Sequence, residues 1–376
     1  MIWLLLGIFV FVFSILGDKR FNPNKSYLFF RILLILSLSY LPSFGGLVAQ
    51  DHLNYVQMYK EITFSSFLNW NSFIENLGTT RVSVELGYSF LNILAHTFSL
   101  GVPGFLFLVC CIINTLVVSV AYRFSNVPVS ILLFIMFGFY FNEANLVRQS
   151  LSIAIFLYSL KYLNDKNTKS YIYTILIAVS VHSSALFLLP LALFTRIDID
   201  KYQDIIKKNL LVCWILSFGI SRLGMSPDFL LQPLAEIGLF SNLYAGYLDM
   251  THGVGAETQI GSVYFINIIL IVFAYLNKSK KDYVYTYVLI MGGIITNLSF
   301  IIPAAFRLGL YFSTLAALYT PYLCSSKTKL YFVKPLYQKF FYYVIVVYFL
   351  GYYILNYVLS DYFFGSKLYP LRMFLE

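Results

Sequence analysis

Polar side chains cluster at the start of a long apolar stretch that begins near residue 146. Residues three, four and seven positions apart lie on one face of a helix. This spacing relates Asn145, Arg148, Gln149 and Ser152. An arginine at membrane depth costs roughly 2.5 to 3.5 kcal/mol on insertion scales, so it normally faces a wet cavity or a partner. The pattern indicates that Arg148 is a site residue. The alternative is that Arg148 reaches the headgroups while Gln149 links helices.

Three further titratable groups stand at the start of, or inside, apolar stretches. Glu85 precedes one stretch, His182 lies inside the run 171–194, and Arg307 opens another. A carboxylate or a histidine could accept a hydroxyl proton, and two arginines could bind pyrophosphate oxygens. The alternatives are a local ion pair of Glu85 with Arg81, a histidine that hydrogen-bonds between helices, and arginines that snorkel.

A polar segment near residue 50 carries a carboxylate and two phenols at helical spacing. Asp51, Tyr55 and Tyr59 are each four positions apart, and Tyr88 follows soon after Glu85. Such groups suit sugar hydroxyls or proton transfer. The alternative is an N-capping aspartate on an interfacial helix whose tyrosines lie at the headgroups.

Metal and nucleotide chemistry find no support in the sequence. His52, His96 and His252 have no ligand spacing with one another, and the four cysteines show no CxxC or CxxH pattern. No Walker loop, GxGxxG, HExxH or GxSxG pattern occurs. We therefore expect no metal, no cofactor and no nucleotide-driven step.

The composition is that of a membrane protein. Hydrophobic residues make up 59% of the 376 residues and charged residues 11%, and the mean hydropathy is +0.76. No soluble core could hide so much apolar surface. The net charge of +9 comes from Lys and Arg in short loops between apolar runs. There they act as topology signals, so we expect no nucleic-acid partner.

Apolar runs long enough to cross about 30 Å of hydrocarbon recur along the chain. They lie at about 2–17, 28–48, 86–100, 104–122, 127–141, 146–163, 171–194, 209–222, 260–277, 283–302, 307–323 and 340–359. The sequence predicts an all-α, polytopic integral membrane protein with about ten to twelve transmembrane helices in one domain over 1–376. We interpret the short runs 86–100 and 209–222 as re-entrant or interfacial helices.

Basic residues predict which side of the membrane each loop faces. They place the first loop and two late loops in the cytoplasm, so the long connections 49–85 and 223–259 face the periplasm. The middle of the chain conflicts with this rule. Basic residues at 161–169 and at 196–208 require the same side, yet a single predicted span separates them. If the two short runs do not cross, the Arg148 end faces outward; if all twelve runs cross, it faces inward.

Several of these motifs, taken in order, resemble the EpsG-like branch of bacterial polysaccharide polymerases, which is related in role to O-antigen polymerase (Wzy). The motifs are Asp51 with Tyr55 and Tyr59, Glu85-Leu-Gly-Tyr88, Arg148-Gln149-Ser-Leu-Ser, and His182-Ser-Ser-Ala185. The resemblance covers roughly residues 40–195 and extends to Arg307. Each motif is short, so their order and spacing carry the resemblance.

The resemblance implies a glycosyltransferase of the bacterial inner membrane with a GT-C-like fold. It would transfer a glycan from undecaprenyl pyrophosphate to another lipid-linked repeat unit at the periplasmic face. Its partners would be the undecaprenyl-pyrophosphate-linked oligosaccharide, membrane lipid and a chain-length regulator protein. Arg148 and Arg307 would bind pyrophosphate, and Asp51, Glu85 or His182 would act as the base. Further substrate contacts would come from Gln149, Tyr55, Tyr88 and Asn145.

Two other classes remain open on the sequence alone. A flippase or exporter of lipid-linked sugars would also place arginines and tyrosines in a polar cavity. A membrane O-acetyltransferase would also accommodate a histidine at membrane depth. For the polymerase, we expect Arg148 and His182 to differ in depth by about 10 Å, from helix rise. We also expect Asp51 or Glu85 to lie within about 10 Å of Arg148.

Overall fold

The structure is a computed structural model. It describes residues 2–22, 26–44, 52–63, 85–124, 126–222, 262–279, 282–299, 303–325, 330 and 334–354. Every secondary-structure element of three or more residues in these ranges is a helix. A single β-bridge joins Asn277 to Leu330. Asp51, Arg81 and the connection 223–259 lie outside the described residues.

Fourteen α-helices are described, and the bounds of many of them follow the hydropathy pattern. They are α1 (Ile2–Leu16), α2 (Ser26–Phe44), α3 (His52–Glu61), α4 (Leu86–Thr97), α5 (Gly101–Ala121), α6 (Val127–Met136), α7 (Asn142–Asn145), α8 (Val147–Asn164), α9 (Thr168–Val181), α10 (Ile199–Arg222), α11 (Ser262–Leu276), α12 (Tyr283–Leu298), α13 (Pro303–Leu323) and α14 (Pro335–Tyr353). The prediction of an all-helical chain is therefore confirmed for the described residues.

Membrane-length apolar helices occur within this set. Among the described residues, Ser26–Ser43 and Gly101–Ala121 are each long and apolar enough to cross a membrane, and a bent pair over 127–145 makes a third candidate. Helix α4 has 12 residues, so it rises about 18 Å and is too short to cross alone. The ten to twelve crossings, the re-entrant helices and the GT-C-like arrangement stay predictions.

The described chain divides into two compact units. The first contains residues 1–195, 317–322 and 341–376, and the second contains 196–316 and 323–340. Each unit is described by itself below. The single integral domain predicted over 1–376 stays a prediction.

Helix α5 organises the first unit, because it packs against both α2 and α8. Its one buried amide, Asn114, donates from Nδ2 to Glu143 Oε2 at 2.8 Å and to Ser39 Oγ at 3.3 Å. Polar groups inside an apolar interior are stable when they find such partners. The contact therefore joins α2, α5 and α7 at one level of the unit.

The segment that leads to Arg148 is broken twice. Helix α6 and the following short helical stretch meet at an angle of 66°, and Gly138 at the bend has φ +84°, a conformation that glycine adopts without strain. A second break falls at Leu146, between α7 and α8. The predicted run 127–141 is therefore not one straight helix. Asn145 lies on a different helix from Arg148, so their predicted common face is wrong.

The predicted span 171–194 is also two elements. Helix α9 ends at Val181, His182 is extended with φ −153° and ψ 116°, and a 3₁₀ helix follows over Ser183–Arg196. This 3₁₀ helix runs back along α9, because Leu188 O accepts a hydrogen bond from Tyr171 Oη and Thr195 Oγ1 contacts Thr168 Oγ1. Its start and its end consequently lie at opposite ends of α9.

One end of the first unit is rich in basic residues. Arg31 Nε donates to Gly17 O at 2.7 Å, and Arg123 Nη1 donates to Tyr158 O at 3.2 Å. Arg31 Cζ also lies 3.7 Å from the centroid of the Tyr122 ring, so these contacts together join the ends of α1 and α5, the last part of α8 and the start of α2. We call this region the basic end; its cations are Lys19, Arg20, Arg31, Arg123, Lys161, Lys166 and Lys169.

The second unit is built around α10 and α12, which pack together. Asn297 Nδ2 donates to Ser217 Oγ at 2.8 Å. The buried Lys207 donates from Nζ to Asn277 O, just beyond α11. Helix α10 has 24 residues and begins at Ile199, so the short run predicted at 209–222 is only its later part. Charged residues at the start of this helix lower the hydropathy of its first turns, so hydropathy alone does not detect them.

Candidate functional site

Three elements of the first unit meet at the carboxylate of Glu85. Arg148 Nη1 lies 2.7 Å from Glu85 Oε2, and His182 Nδ1 lies 3.2 Å from Glu85 Oε1. Oε1 also accepts a hydrogen bond from the backbone N–H of Ser183 at 3.0 Å. We call Glu85, Arg148 and His182 the charged triad. Their side chains are only 15%, 15% and 18% exposed, so these contacts are little screened by water.

Arg148 and His182 reach the same level because α8 and α9 form an antiparallel pair. Arg148 lies in the first turn of α8 and His182 directly follows the last residue of α9. The short connection between the helices puts these two ends side by side. The predicted offset of about 10 Å is wrong, since it assumed that the helix continued past His182 to residue 194.

Glu85 is brought to this point by the start of α4. It occupies the N-cap position with φ −69° and ψ 147°, but its side chain makes no capping hydrogen bond. The carboxylate turns instead toward α8 and α9. Gly87 permits this approach, because a Cβ at that position would lie 2.7 Å from Ser180 O. The predicted proximity of Glu85 to Arg148 is therefore found, at hydrogen-bond distance.

The surroundings keep Glu85 ionised. Burial raises the pKa of its carboxyl, but the hydrogen bond with His182, the charge of Arg148 and the N–H of Ser183 outweigh burial and lower the pKa to about 2. A carboxylate with so low a pKa is a poor proton acceptor near neutral pH. Its geometry suits a different task, which is to orient the guanidinium and the imidazole.

The contact with Glu85 also assigns the histidine a tautomer. A carboxylate accepts hydrogen bonds, so Nδ1 carries the proton that faces Glu85. In the neutral ring the other nitrogen, Nε2, is then the proton acceptor. Among the described residues, no hydrogen bond occupies Nε2. This tautomer presents Nε2 as the nitrogen through which a neutral ring can act as a general base.

An aromatic row lies beside the triad. The ring of Tyr88 is 6.0 Å from Arg148 Cζ and 6.3 Å from the ring of Tyr55. Phe105 lies 5.5 Å from both Tyr88 and Tyr59, and Tyr59 stacks on His96 at 4.0 Å. Tyr55, Tyr59 and Tyr88 are buried. This packing fixes α3 against α4 and α5.

The remaining predicted site residues occupy several different positions. Asn145 contributes its backbone oxygen, which accepts a hydrogen bond from Tyr55 Oη at 3.3 Å. Gln149 is buried in α8 next to Arg148, and Ser152 Oγ binds Ala178 O on α9. Arg307 belongs to the second unit, on α13, with an exposed side chain. Its predicted pairing with Arg148 stays a prediction.

The sequence reading missed two members of this neighbourhood. Ser183 contributes a backbone N–H, which no side-chain pattern reveals. His96 was considered only as a metal ligand, yet its Nε2 contacts Tyr59 O at 2.5 Å. Among the described residues, no three His, Cys, Asp or Glu side chains lie close enough together to hold a metal ion.

A set of apolar helices, some of them of membrane length, is typical of an integral membrane protein. The EpsG family matches residues 27–373, nearly the whole chain, and the chain belongs to this family of Wzy-like polysaccharide polymerases. The resemblance found in the short motifs is thereby confirmed. No curated protein and no solved structure matches the chain.

Proposed function

We propose that the chain is a lipid-linked glycan polymerase of the bacterial inner membrane, with its active site facing the periplasm. The donor is a glycan on undecaprenyl pyrophosphate and the acceptor is another lipid-linked repeat unit. An acceptor hydroxyl oxygen attacks the anomeric carbon of the donor. The bond from that carbon to the pyrophosphate oxygen breaks, and the hydroxyl proton passes to a base. Undecaprenyl pyrophosphate leaves with the electron pair of the broken bond.

The observation that carries this proposal is that one carboxylate holds both a guanidinium and an imidazole. Glycosyl transfer from a pyrophosphate needs positive charge where the leaving group develops negative charge, and it needs a base for the acceptor hydroxyl. Arg148 supplies the charge and His182 supplies the base. Both are anchored on Glu85, so their relative position is set before substrate binds.

Each triad member has one role in this scheme. Arg148 binds pyrophosphate oxygens; a guanidinium has five N–H donors, so its bond to Glu85 is compatible with further bonds to a substrate. His182 accepts the hydroxyl proton at Nε2. Glu85 is the positioning residue and also stabilises the imidazolium that forms. The pyrophosphate must approach near a carboxylate, so a second cation is needed, and we assign that role to Arg307.

Two further parts of the scheme rest on sequence pattern. Asp51, at the start of the segment that leads into α3, is proposed to bind the acceptor. Gln149, Tyr55, Tyr88 and Asn145 are proposed to shape the sugar-binding surface around the triad. The buried positions of Tyr55 and Tyr88 favour an indirect contribution through the placement of α3 and α4.

The distribution of charge supports an outward-facing triad. The triad lies at the end of α8 opposite the basic end, and basic residues mark the cytoplasmic side. The break at His182 supports the same orientation, because the 3₁₀ helix returns from His182 to the level of Thr168 and its end therefore lies near the basic end of the first unit.

A flippase or exporter of lipid-linked sugars is the principal rival function. The experiment that separates the two is the glycan phenotype of a strain that lacks this protein. We expect surface lipid that carries a single repeat unit. Surface lipid with no repeat unit would indicate a flippase, and full-length chains without acetyl groups would indicate an O-acetyltransferase. Complementation with Arg148→Ala and His182→Ala variants that reach the membrane links the phenotype to the triad.

A further inference from the structure

Two cations at the basic end share one aromatic ring. Arg123 Cζ lies 4.7 Å from the centroid of the Tyr158 ring, and Lys161 Nζ lies 3.8 Å from the same centroid. Lys161 Nζ is also 4.6 Å from the ring of Tyr162. We call these four residues the Tyr158 cluster. All four are half-buried, so the cations are held in place and still reach the surface.

The positive charge of this cluster is not neutralised within the part of the chain that the structure describes. Neither Arg123 nor Lys161 forms an ion pair there. Asp165, the acid nearest to Lys161 in the sequence, is exposed and makes none either. At the same end of the unit, by contrast, the carboxylate of Asp18 pairs with Arg20 and attracts Arg31.

Internal groups offset only part of this charge. Ring faces attract cations weakly at partly exposed sites. Arg123 also donates a hydrogen bond to the backbone oxygen of Tyr158, within α8. Two cations that share one ring repel each other, and a bound anion would offset that repulsion. A forked guanidinium with an ammonium beside it suits the oxygens of a phosphate.

We infer that the Tyr158 cluster binds the phosphate of an anionic phospholipid headgroup. Arg123 follows the end of α5, a helix long and apolar enough to cross a membrane, so the cluster lies at the depth of the headgroups. Tyrosines are enriched at this depth, and basic pockets between transmembrane helices bind anionic headgroups. The cluster is at the opposite end of α8 from Arg148, so this lipid site is separate from the proposed active site.

The test is lipid-dependent thermal stability of the purified full chain in a neutral detergent. The chain is titrated with short-chain phosphatidylglycerol, with short-chain phosphatidylcholine and with inorganic phosphate. We expect phosphatidylglycerol alone to raise the unfolding midpoint. Each cation near an anionic surface adds about fivefold to the affinity for an anionic lipid. The double variant Arg123→Gln/Lys161→Gln should therefore bind phosphatidylglycerol roughly thirtyfold more weakly than wild type.

The matched control is the pair Lys166→Gln with Lys169→Gln, which removes the same charge from the same end and should leave the response unchanged. If both double variants weaken the response to phosphatidylglycerol equally, the response depends on the total positive charge of this end. That result would overturn the proposal of a specific site. An equal response to inorganic phosphate would overturn the lipid assignment. Should the first pair not fold, Lys161→Gln alone keeps the bond from Arg123 to Tyr158 O; an unchanged response in that variant, where about a fivefold loss is expected, would overturn the site.

Discussion

Glu85 Oε2 lies 2.7 Å from Arg148 Nη1, although 63 positions separate the two residues in the chain. The other oxygen of the same carboxylate contacts His182. One side chain thus fixes both the cation and the base of the proposed reaction. The consequences of this arrangement can be measured one residue at a time.

Arg148→Lys should lose most polymerisation while the protein still accumulates in the membrane. Lysine keeps the charge but loses the planar fork that can bind Glu85 and a pyrophosphate together. Loss of one such donor typically costs about a hundredfold or more in rate. The measurement is glycan chain length in a complemented deletion strain, with membrane abundance as the control. Long chains in this variant would show that polymerisation does not require the forked guanidinium of Arg148.

His182→Gln should lower the rate of glycan transfer by about a hundredfold or more, with a small change in apparent donor affinity. Glutamine can still donate to Glu85 but cannot accept the hydroxyl proton. The measurement is the rate of glycan transfer at saturating donor, with the abundance of the variant in the membrane as the control. Transfer at the wild-type rate would assign the base to another group, such as Asp51.

Glu85→Gln should destabilise the protein in a pH-dependent way. The pKa of Glu85 in the folded protein is about 2, lowered from the ordinary 4.5. A lowered pKa gives stability that is present above about pH 4.5 and is lost as the pH falls toward 2, with an upper limit of about 3 kcal/mol. The gap in unfolding midpoint between wild type and Glu85→Gln should therefore be large at pH 6 and several times smaller near pH 2.5. A gap that stays constant over this range would contradict the ionised triad.

Gly87→Ala should reduce activity although it removes no charged group. A Cβ at position 87 would meet the carbonyl of Ser180, so α4 must move away from α9 and Glu85 must move with it. We expect at least about a tenfold loss, since misplacement by 1 Å can cost a hundredfold. Gly7→Ala is the control, because nothing lies within 4 Å of a Cβ there. Equal activity in the two variants would show that the approach of α4 to α9 does not govern the site.

The sidedness of the chain can be tested with single cysteines in a background in which the four native cysteines are replaced. Positions 69 and 251 lie in the two long connections and should react with a membrane-impermeant reagent in intact spheroplasts. Position 166, at the basic end, should react only after the membrane is opened. Protection of 69 and 251 would invert the topology and remove the periplasmic site from the proposal.

Helix bounds were largely predictable, because the apolar runs themselves define where helices lie. The predicted run 146–163 differs by one residue at each end from Val147–Asn164. The break at His182 was not predicted, although the sequence holds signs of it. Pro190 cannot continue an α-helix without losing a hydrogen bond. Ala185, Leu188 and Leu191 are buried at intervals of three, which is the period of a 3₁₀ helix.

The partner of Glu85 was not predictable in the same way. Local spacing favoured Arg81, four positions away, whereas the structure supplies Arg148 and His182 from two other helices. Contacts across 63 and 97 positions depend on how helices pair, and hydropathy carries no information about pairing. The sequence did identify all three members as candidates, because charged groups beside apolar runs are costly and therefore conspicuous.

The 3₁₀ helix after His182 has a consequence for how much chain the return along α9 requires. Fourteen residues rise about 28 Å as a 3₁₀ helix but only about 21 Å as an α-helix. Helix α9 also has fourteen residues, so the 3₁₀ limb has the length to pass its whole extent and to close on Thr168 through Thr195. A deletion of a few residues between Ser183 and Thr195 would leave this limb too short to complete that closure.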